Sequence, residues 1–309
     1  MKHISVVTPC YNEEMNVEEL YMQVKGIFAG LHDYTYEHIF IDNASVDGTV
    51  AVLKKMAASD KNVKIIVNVR NFGHIRSPYY GIQQAHGDAI ILMAADLQDP
   101  PSIIPDLLKK WEEGYKIVVC VKNKSEENKF VFAVRKMYYH LIKRFSDIEQ
   151  IKNFTGFGLY DQKFIEVLRT LNDPYPYFRG LITELGFNRT EIKYVQPARK
   201  KGKTKNNLYT LYDLAMLGFV NHSKVPIRLA SFIGFGMSVV SLITGLVYLV
   251  YKLLFWDRFE AGLAPLIIGI FFFSSVQLFF IGILGEYIGA IYTQVRERPL
   301  VIEKERVNF

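Results

Sequence analysis

Apolar positions in the first half of the chain fall into short, nearly unbroken runs rich in β-branched residues: ISVVTPCY, EHIFID, VKIIVNV, DAIILMAAD and YKIVVCV. Runs apolar on both faces read as strands buried in a parallel sheet. Between them the spacing turns helical, over Glu13–Leu31, Thr49–Ala58, Ile75–Ala85 and Pro101–Glu113. Asp99 followed by Pro100 and Pro101 marks a helix start, because proline is tolerated in a first turn. Repeated strand–helix units predict an α/β fold with a mostly parallel sheet and helices on both sides. From 122 to 187 the pattern is less regular: a basic helix is expected around Phe130–Phe145, followed by the Gly- and aromatic-rich stretch NFTGFGLYD.

Past about Ile227 the pattern changes again. Leu229–Phe255 and Leu263–Tyr292 are almost wholly apolar, and each exceeds the roughly 20 residues that a membrane-spanning helix needs. Lys224 and Arg228 precede the first segment, and Arg296, Arg298, Lys304 and Arg306 follow the second, while the connecting WDRFEAG carries balanced charge. The positive-inside rule then puts both flanks, both termini and the N-terminal domain on the cytoplasmic side of a multi-pass cell-membrane protein. The expected organisation is a catalytic domain over 1–206, a membrane-proximal amphipathic segment over 207–228, and two transmembrane helices with a short cytoplasmic tail over 229–309. Gly282, Gly285 and Gly289 form a small-residue face suited to helix contact, within one chain or in a homo-oligomer.

Composition adds a modest cationic excess, 37 Lys and Arg against 31 Asp and Glu, which favours an anionic partner. Much of it is concentrated in ARKKGKTKNN, beside the membrane segments. Anionic lipid headgroups attract such residues by about 1 kcal/mol each, so membrane lipid and a lipid phosphate are the expected partners and nucleic acid is not. Cys10 and Cys120 lack metal-ligand spacing and read as reduced core residues. The leading ISVV run is too short for a signal-peptide core.

In an open parallel sheet, ligands bind beyond the carboxyl ends of the strands, and polar residues gather there. The first strand ends in Pro9, Tyr11, Asn12, Glu13 and Glu14, and the second in Asp42, Asn43, Ser45 and Asp47. Arg70 and Asn71 end the third, and Asp96, Gln98 and Asp99 the fourth. Asp47 and Asp99 are expected to cap the helices that follow them. Asp42 and Asp96 are expected to point into one crevice, where carboxylates suit a divalent metal bridging phosphate oxygens. There is no G-x-x-x-x-G-K-[ST] loop and no G-x-G-x-x-G after the first strand, which argues against P-loop hydrolases and dinucleotide dehydrogenases.

VVTPCYNEE, IDNASVDGT, NVRNFGHIRSPYYGIQQAHGD and MAADLQDPP, in that order, resemble the successive signatures of family 2 glycosyltransferases, and more narrowly their polyprenyl-phosphate branch. FRGLITELGF, ARKKGKTK, SKVPIRLASFIG and GILGEYIGAIYTQVRERP extend the resemblance over nearly the whole chain. It implies a GT-A (Rossmann-like) catalytic domain and inverting transfer from a nucleotide-sugar, with UDP-hexose first among donors. The implied acceptor is undecaprenyl phosphate, for cell-envelope glycan modification, with dolichol phosphate as the alternative lipid. By position it implies a nucleotide pocket of Pro9, Tyr11, Asn12, Glu13, Asp42 and Asn43, and Mg²⁺ or Mn²⁺ on Asp96 and Gln98. Arg179, Arg199 and Lys205 match basic positions near the donor and acceptor phosphates, and Arg135 lies on the helix that faces the lipid phosphate.

Two departures stand out. The usual Asp-x-Asp is here Ala94-Ala95-Asp96, and Gly156 and Gly158 stand where many relatives have an aspartate and an arginine. They raise a second reading, a catalytically impaired membrane scaffold that binds nucleotide or lipid. A processive polysaccharide synthase is disfavoured, since neither Trp111 nor Trp256 sits in a Q-x-x-R-W context. Transfer can survive the departures: a phosphate monoester, with its second pKa near 6, is largely dianionic at pH 7 and needs no protein base to attack the anomeric carbon.

Overall fold

The structure, a computed structural model, describes residues 1–123, 151–197, 220, 224–255 and 263–309. The expected alternation is present: β1 (Lys2–Cys10), α1 (Val17–Ala29), β2 (Tyr34–Asp42), α2 (Thr49–Ser59), β3 (Val63–Asn68), α3 (Gly73–Gln83), β4 (Ala89–Leu92), α4 (Ile104–Glu112) and β5 (Ile117–Lys122). After these come β6 (Phe154–Asp161), α5 (Gln162–Thr170), α6 (Phe178–Glu184), β7 (Arg189–Tyr194), the long helices α7 (Val225–Leu254) and α8 (Leu263–Val295), and β8 (Glu303–Val307). One eight-stranded sheet has the order β7-β5-β6-β4-β1-β2-β3-β8.

The sheet is mixed but mostly parallel. β1 pairs in parallel with β2 and β4, β2 with β3, and β5 with β7. β6 runs antiparallel between β4 and β5, and β8 runs antiparallel along β3. β4 is shorter than the apolar run DAIILMAAD implies. Strand pairing stops at Leu92, and Met93–Asp99 becomes the loop that carries Asp96. At β6 the chain passes so close to β5 that a Cβ on Gly158 would clash with the Val118 carbonyl oxygen.

Both sheet faces are covered. Val7, Ile39, Ile41 and Leu92 pack with Tyr79 and Ile82 of α3 and Phe164 and Leu168 of α5. On the opposite face Ile4, Val6 and Ile91 meet Leu20 and Val24 of α1 and Leu107 and Leu108 of α4. Burying a side chain of this size contributes about 1.5–3 kcal/mol, and burial on two faces explains the near-continuous apolar runs.

The long helices differ from all others. Both are long and apolar enough to span a membrane, and their apolar side chains point outward instead of packing in a core. α7 begins one turn before the expected Leu229, so Arg228 lies inside its first turns. The expected basic helix at Phe130–Phe145 and most of the amphipathic segment 207–228 lie outside the described residues. The chain's end, expected as a short tail, instead returns to the sheet as β8. Val301 is buried, and the Asn308 amide donates to the carbonyls of Ala57 and Val63 at 2.8 and 2.9 Å.

Candidate active site

A crevice of about 870 Å³ opens beyond the carboxyl ends of β1 and β4, bounded by the start of α3 and by Pro176–Arg179. Pro9, Tyr11, Glu13, Asn43, Asp96, Gln98 and Arg179, all expected site residues, line it. Arg135, Arg199 and Lys205 lie outside the described residues.

Two expectations are corrected. Asp42 does not line the crevice: it is fully buried, its Oδ2 accepts the Ser45 N–H at 2.9 Å, and its Oδ1 has no partner. Burial raises its pKa, so Asp42 sits beneath the site as an anchor of the loop after β2. Asn12 has the same kind of role. It adopts a left-handed φ of 57°, which asparagine tolerates better than most residues, and its Oδ1 accepts the Val46 N–H while its own N–H donates to Ser45 Oγ. Together they tie the loop after β1 to the loop after β2.

Asn43 lines the crevice, but its amide is fully engaged in holding the loop after β3. Nδ2 donates to Asn71 Oδ1 at 2.9 Å and to the Gly73 carbonyl at 3.1 Å; Oδ1 accepts the Phe72 N–H at 2.9 Å and Asn68 Nδ2 at 3.2 Å. Its contribution to the crevice is the shape of the Asn71–Ile75 wall. Asp47 meets its expectation as a cap: it accepts the N–H groups of Thr49 and Glu14. Burial alone would raise its pKa, but these hydrogen bonds outweigh burial and lower it.

The floor of the crevice is the loop Met93–Asp99. Asp96 is 8% exposed, and its Oδ1 accepts the Gln98 N–H at 3.2 Å. Leu97 takes a left-handed φ of 60° and buries its side chain against the α1–α4 layer, leaving the flanking Asp96 and Gln98 as crevice-lining residues. Asp99 is not the expected helix cap. Its Oδ2 accepts the Ala94 N–H at 3.0 Å and its Oδ1 accepts the Tyr194 hydroxyl at 3.1 Å. Burial, reinforced by the Asp96 charge, pushes its pKa up to about 6.

Lys122, His74, Thr155, Tyr177 and Gln196 also line the crevice and were not anticipated. The signal for Lys122 was available: it is the first charged residue after the run IVVCV, at the carboxyl end of β5, the rule that located Asp96. Gly156 lines the crevice at φ 109°, a backbone geometry open to glycine and strained for side-chain-bearing residues.

A carboxylate and a side-chain amide in one crevice are hard oxygen donors, which suit Mg²⁺ or Mn²⁺ when substrate phosphates and water complete the coordination. Among the described residues no group of three or more His, Cys, Asp or Glu side chains is placed to hold an ion alone. The donor set therefore fits an ion shared with a bound diphosphate.

Known proteins agree with this architecture. The model of a family described as glycosyl transferase family 2 matches residues 5–169. The glycosyltransferase YkcC of Bacillus subtilis (strain 168) is 36% identical over 97% of this chain and 94% of its own length. The bactoprenol glucosyl transferase of Shigella phage SfII is 32% identical over 98% of this chain and 97% of its own. A prophage bactoprenol glucosyl transferase homolog of Escherichia coli (strain K12) is 31% identical over 97% and 98%. The family match and these relatives make the chain a glycosyltransferase, and its mixed, mostly parallel sheet is the GT-A-like catalytic domain. The chain belongs to glycosyl transferase family 2.

Proposed function

We propose that this chain transfers a hexose from a nucleoside diphosphate sugar, UDP-hexose first among candidates, to the phosphate of a polyprenyl phosphate, undecaprenyl phosphate in a bacterial membrane. The observation that carries the reading is one crevice lined by Asp96, Gln98, Arg179 and Lys122 together, in a chain that also has two membrane-length apolar helices. Relatives named as bactoprenol glucosyl transferases match along nearly the whole chain and support the lipid acceptor.

The topology supports a cytoplasmic catalytic domain with both termini on its side. The two helices leave the N-terminal domain, and the chain then returns to it as β8, so an even number of crossings joins two parts of one sheet. Lys224, Arg228, Arg296 and Arg298 flank the pair on that side, as the positive-inside rule requires of a cytoplasmic face.

In the proposed reaction an oxygen of the acceptor's dianionic phosphate attacks the anomeric carbon from the face opposite the donor diphosphate. A carbon–oxygen bond to the acceptor forms as the bond to the diphosphate breaks, and the nucleoside diphosphate leaves with the bonding pair. No general base is needed, because the attacking oxygen carries its charge at pH 7. A divalent cation on Asp96 and Gln98, Mg²⁺ or Mn²⁺, supplies positive charge to the diphosphate when bound. Arg179 and Lys122 add fixed charge at the crevice wall, and stabilising a departing anion in this way is commonly the largest catalytic contribution. Arg199 and Lys205 are assigned to the phosphates and Arg135 to the lipid phosphate, on the strength of family position.

The test offers labelled UDP- and GDP-sugars to purified full-length protein with undecaprenyl phosphate and Mg²⁺ or Mn²⁺. Label moving into the organic phase with one donor is the expected result. Donor binding by calorimetry without transfer to undecaprenyl or dolichol phosphate, across a broad donor panel, refutes the reading and favours the scaffold that Ala94 suggests.

A further inference from the structure

The loop that presents Asp96 and Gln98 is held by a brace reaching across the sheet. Asp99 closes the loop on itself through the Ala94 N–H and closes it onto β7 through the Tyr194 hydroxyl. Tyr194 in turn meets the Thr155 hydroxyl of β6, and its ring packs edge-on against Phe157 with centroids 5.6 Å apart. Both brace residues are buried. Between Ala94 and Asp99 the chain takes the left-handed turn at Leu97. A non-glycine residue there is strained and persists only where its surroundings over-determine it. Asp99 supplies that constraint: each of its oxygens is committed to one end of the brace, and the turn lies between its two fixed points.

We propose that Asp99 is a positioning residue of the proposed transfer reaction, holding the Ala94–Asp99 loop through Ala94 and Tyr194 so that Asp96 and Gln98 address the ion and diphosphate together. The role rests on the reading of Asp96 and Gln98 as the two residues that hold the ion. It has particular weight in this chain, where position 94 offers only a backbone N–H to the loop and no carboxylate. With one carboxylate and one amide, the site depends on their mutual orientation, and loss of an outer-shell partner typically lowers metal affinity 10–100-fold.

The test uses full-length protein in detergent micelles and titrates Mn²⁺ in the presence of UDP, with protein-bound ion read from the loss of the free-Mn²⁺ electron paramagnetic resonance signal beyond that which UDP causes by itself. Asp99→Ala removes both hydrogen-bond arms and is expected to weaken Mn²⁺ binding by roughly 10–100-fold. In the transfer assay it lowers kcat and leaves the KM for undecaprenyl phosphate unchanged. Asp99→Asn keeps an oxygen for the Ala94 N–H and an N–H for Tyr194, so it restores most of the affinity that Asp99→Ala loses. Tyr194→Phe cuts one arm at almost constant volume, gives an intermediate loss, and carries the test if Asp99→Ala does not fold. The proposal is overturned if Tyr194→Phe or a folded Asp99→Ala binds Mn²⁺ as the parent does. It is also overturned if Asp99→Asn is as defective as Asp99→Ala, since the negative charge and not the brace would then be what matters. A parent protein that takes up no Mn²⁺ removes the ion site itself, and the inference with it; a parent that binds Mn²⁺ yet transfers no sugar refutes the reaction and leaves the brace to be judged on affinity.

Discussion

Replacing Asn43 by aspartate tests whether this residue shapes the crevice or contacts the donor. The side chain is 6% exposed and makes four hydrogen bonds, two donated and two accepted, all to Asn68–Gly73. A carboxylate keeps the two accepted bonds, loses both donated ones, and faces Asn71 Oδ1 and the Gly73 carbonyl with like partial charge. Each lost bond costs about 0.5–1.5 kcal/mol net, and the like partial charges that then face each other add to the loss. Together these put Asn43→Asp at about 3 kcal/mol less stable than the parent. With a urea slope of about 2–3 kcal/mol per molar for a domain of this size, the midpoint falls by about 1 M. The assay is urea unfolding followed by far-ultraviolet circular dichroism in detergent, with UDP affinity measured in parallel. Protonating the introduced carboxyl restores one donor, so the gap to the parent narrows as pH falls toward 4. A variant whose midpoint stays within about 0.2 M of the parent while UDP affinity drops would refute the argument and return Asn43 to the nucleotide contacts.

Asp96→Ala removes the only carboxylate of the proposed ion site; sugar transfer should fall by about 10²–10³-fold and lose its dependence on divalent ion, and undiminished turnover would take Asp96 out of the active site. His38 lies buried between β1 and β2, its Nε2 2.9 Å from Thr8 Oγ1 and its Nδ1 without a partner, and burial lowers its pKa to about 3. The folded state therefore binds fewer protons than the unfolded state between about pH 6.5 and 3, so the stability from neutral His38 is complete above about 6.5 and is lost as pH falls through that window. At about 1.4 kcal/mol per pH unit the loss is on the order of 5 kcal/mol; an uncharged His38→Gln variant should show a flatter acid limb in urea midpoints, and an identical limb would exclude His38 as its source. Asn308→Ala deprives the carbonyls of Ala57 and Val63 of their side-chain donor and should destabilise the domain by about 1–3 kcal/mol, lowering the urea midpoint; an unchanged midpoint would mean that these two hydrogen bonds add nothing to the fold.

What the sequence made legible follows from how each element earns its stability. β1, β2, β3 and β5 are buried on both faces, so their apolar runs are unbroken and announce them. β8 reads Glu-Lys-Glu-Arg-Val and alternates half-buried with exposed positions; an edge strand of charged residues has no local signature, and only its partner β3, more than two hundred residues earlier, makes it a strand. β6 hides for another reason: Gly156 and Gly158 are poor strand formers, yet close contact with Val118 and the left-handed φ at 156 require them. Asp96, Gln98 and Glu13 were legible because a strand's carboxyl end fixes where the next few residues go. The tasks of Asn43, Asp42 and Asn12 were not, because each is decided by a partner on another loop. Asp99 is the clearest case: proximity to Pro100 suggested a helix cap, while Tyr194, 95 positions away, gives it a different task.

The same contrast bears on the choice between an enzyme and a scaffold. A site that has lost its function keeps no selection on strained backbone, and strain persists where the surrounding structure enforces it. Here position 94 carries no carboxylate, but the left-handed turn at Leu97, the Asp96–Gln98 pairing and the Asp99–Tyr194 brace are all present. Each is a feature of the loop's geometry and none depends on a side chain at 94. The proposed chemistry asks for that geometry more than for a second carboxylate, since a phosphate nucleophile would arrive already charged and a diphosphate would bring its own oxygens to the ion. With alanine at position 94, less negative charge would face the proposed diphosphate and lipid phosphate, and the loop geometry proposed to orient them does not depend on that side chain. In the proposed reaction Ala94 therefore bears on ion affinity and on which donor is accepted, while the loop geometry that the reaction needs is in place.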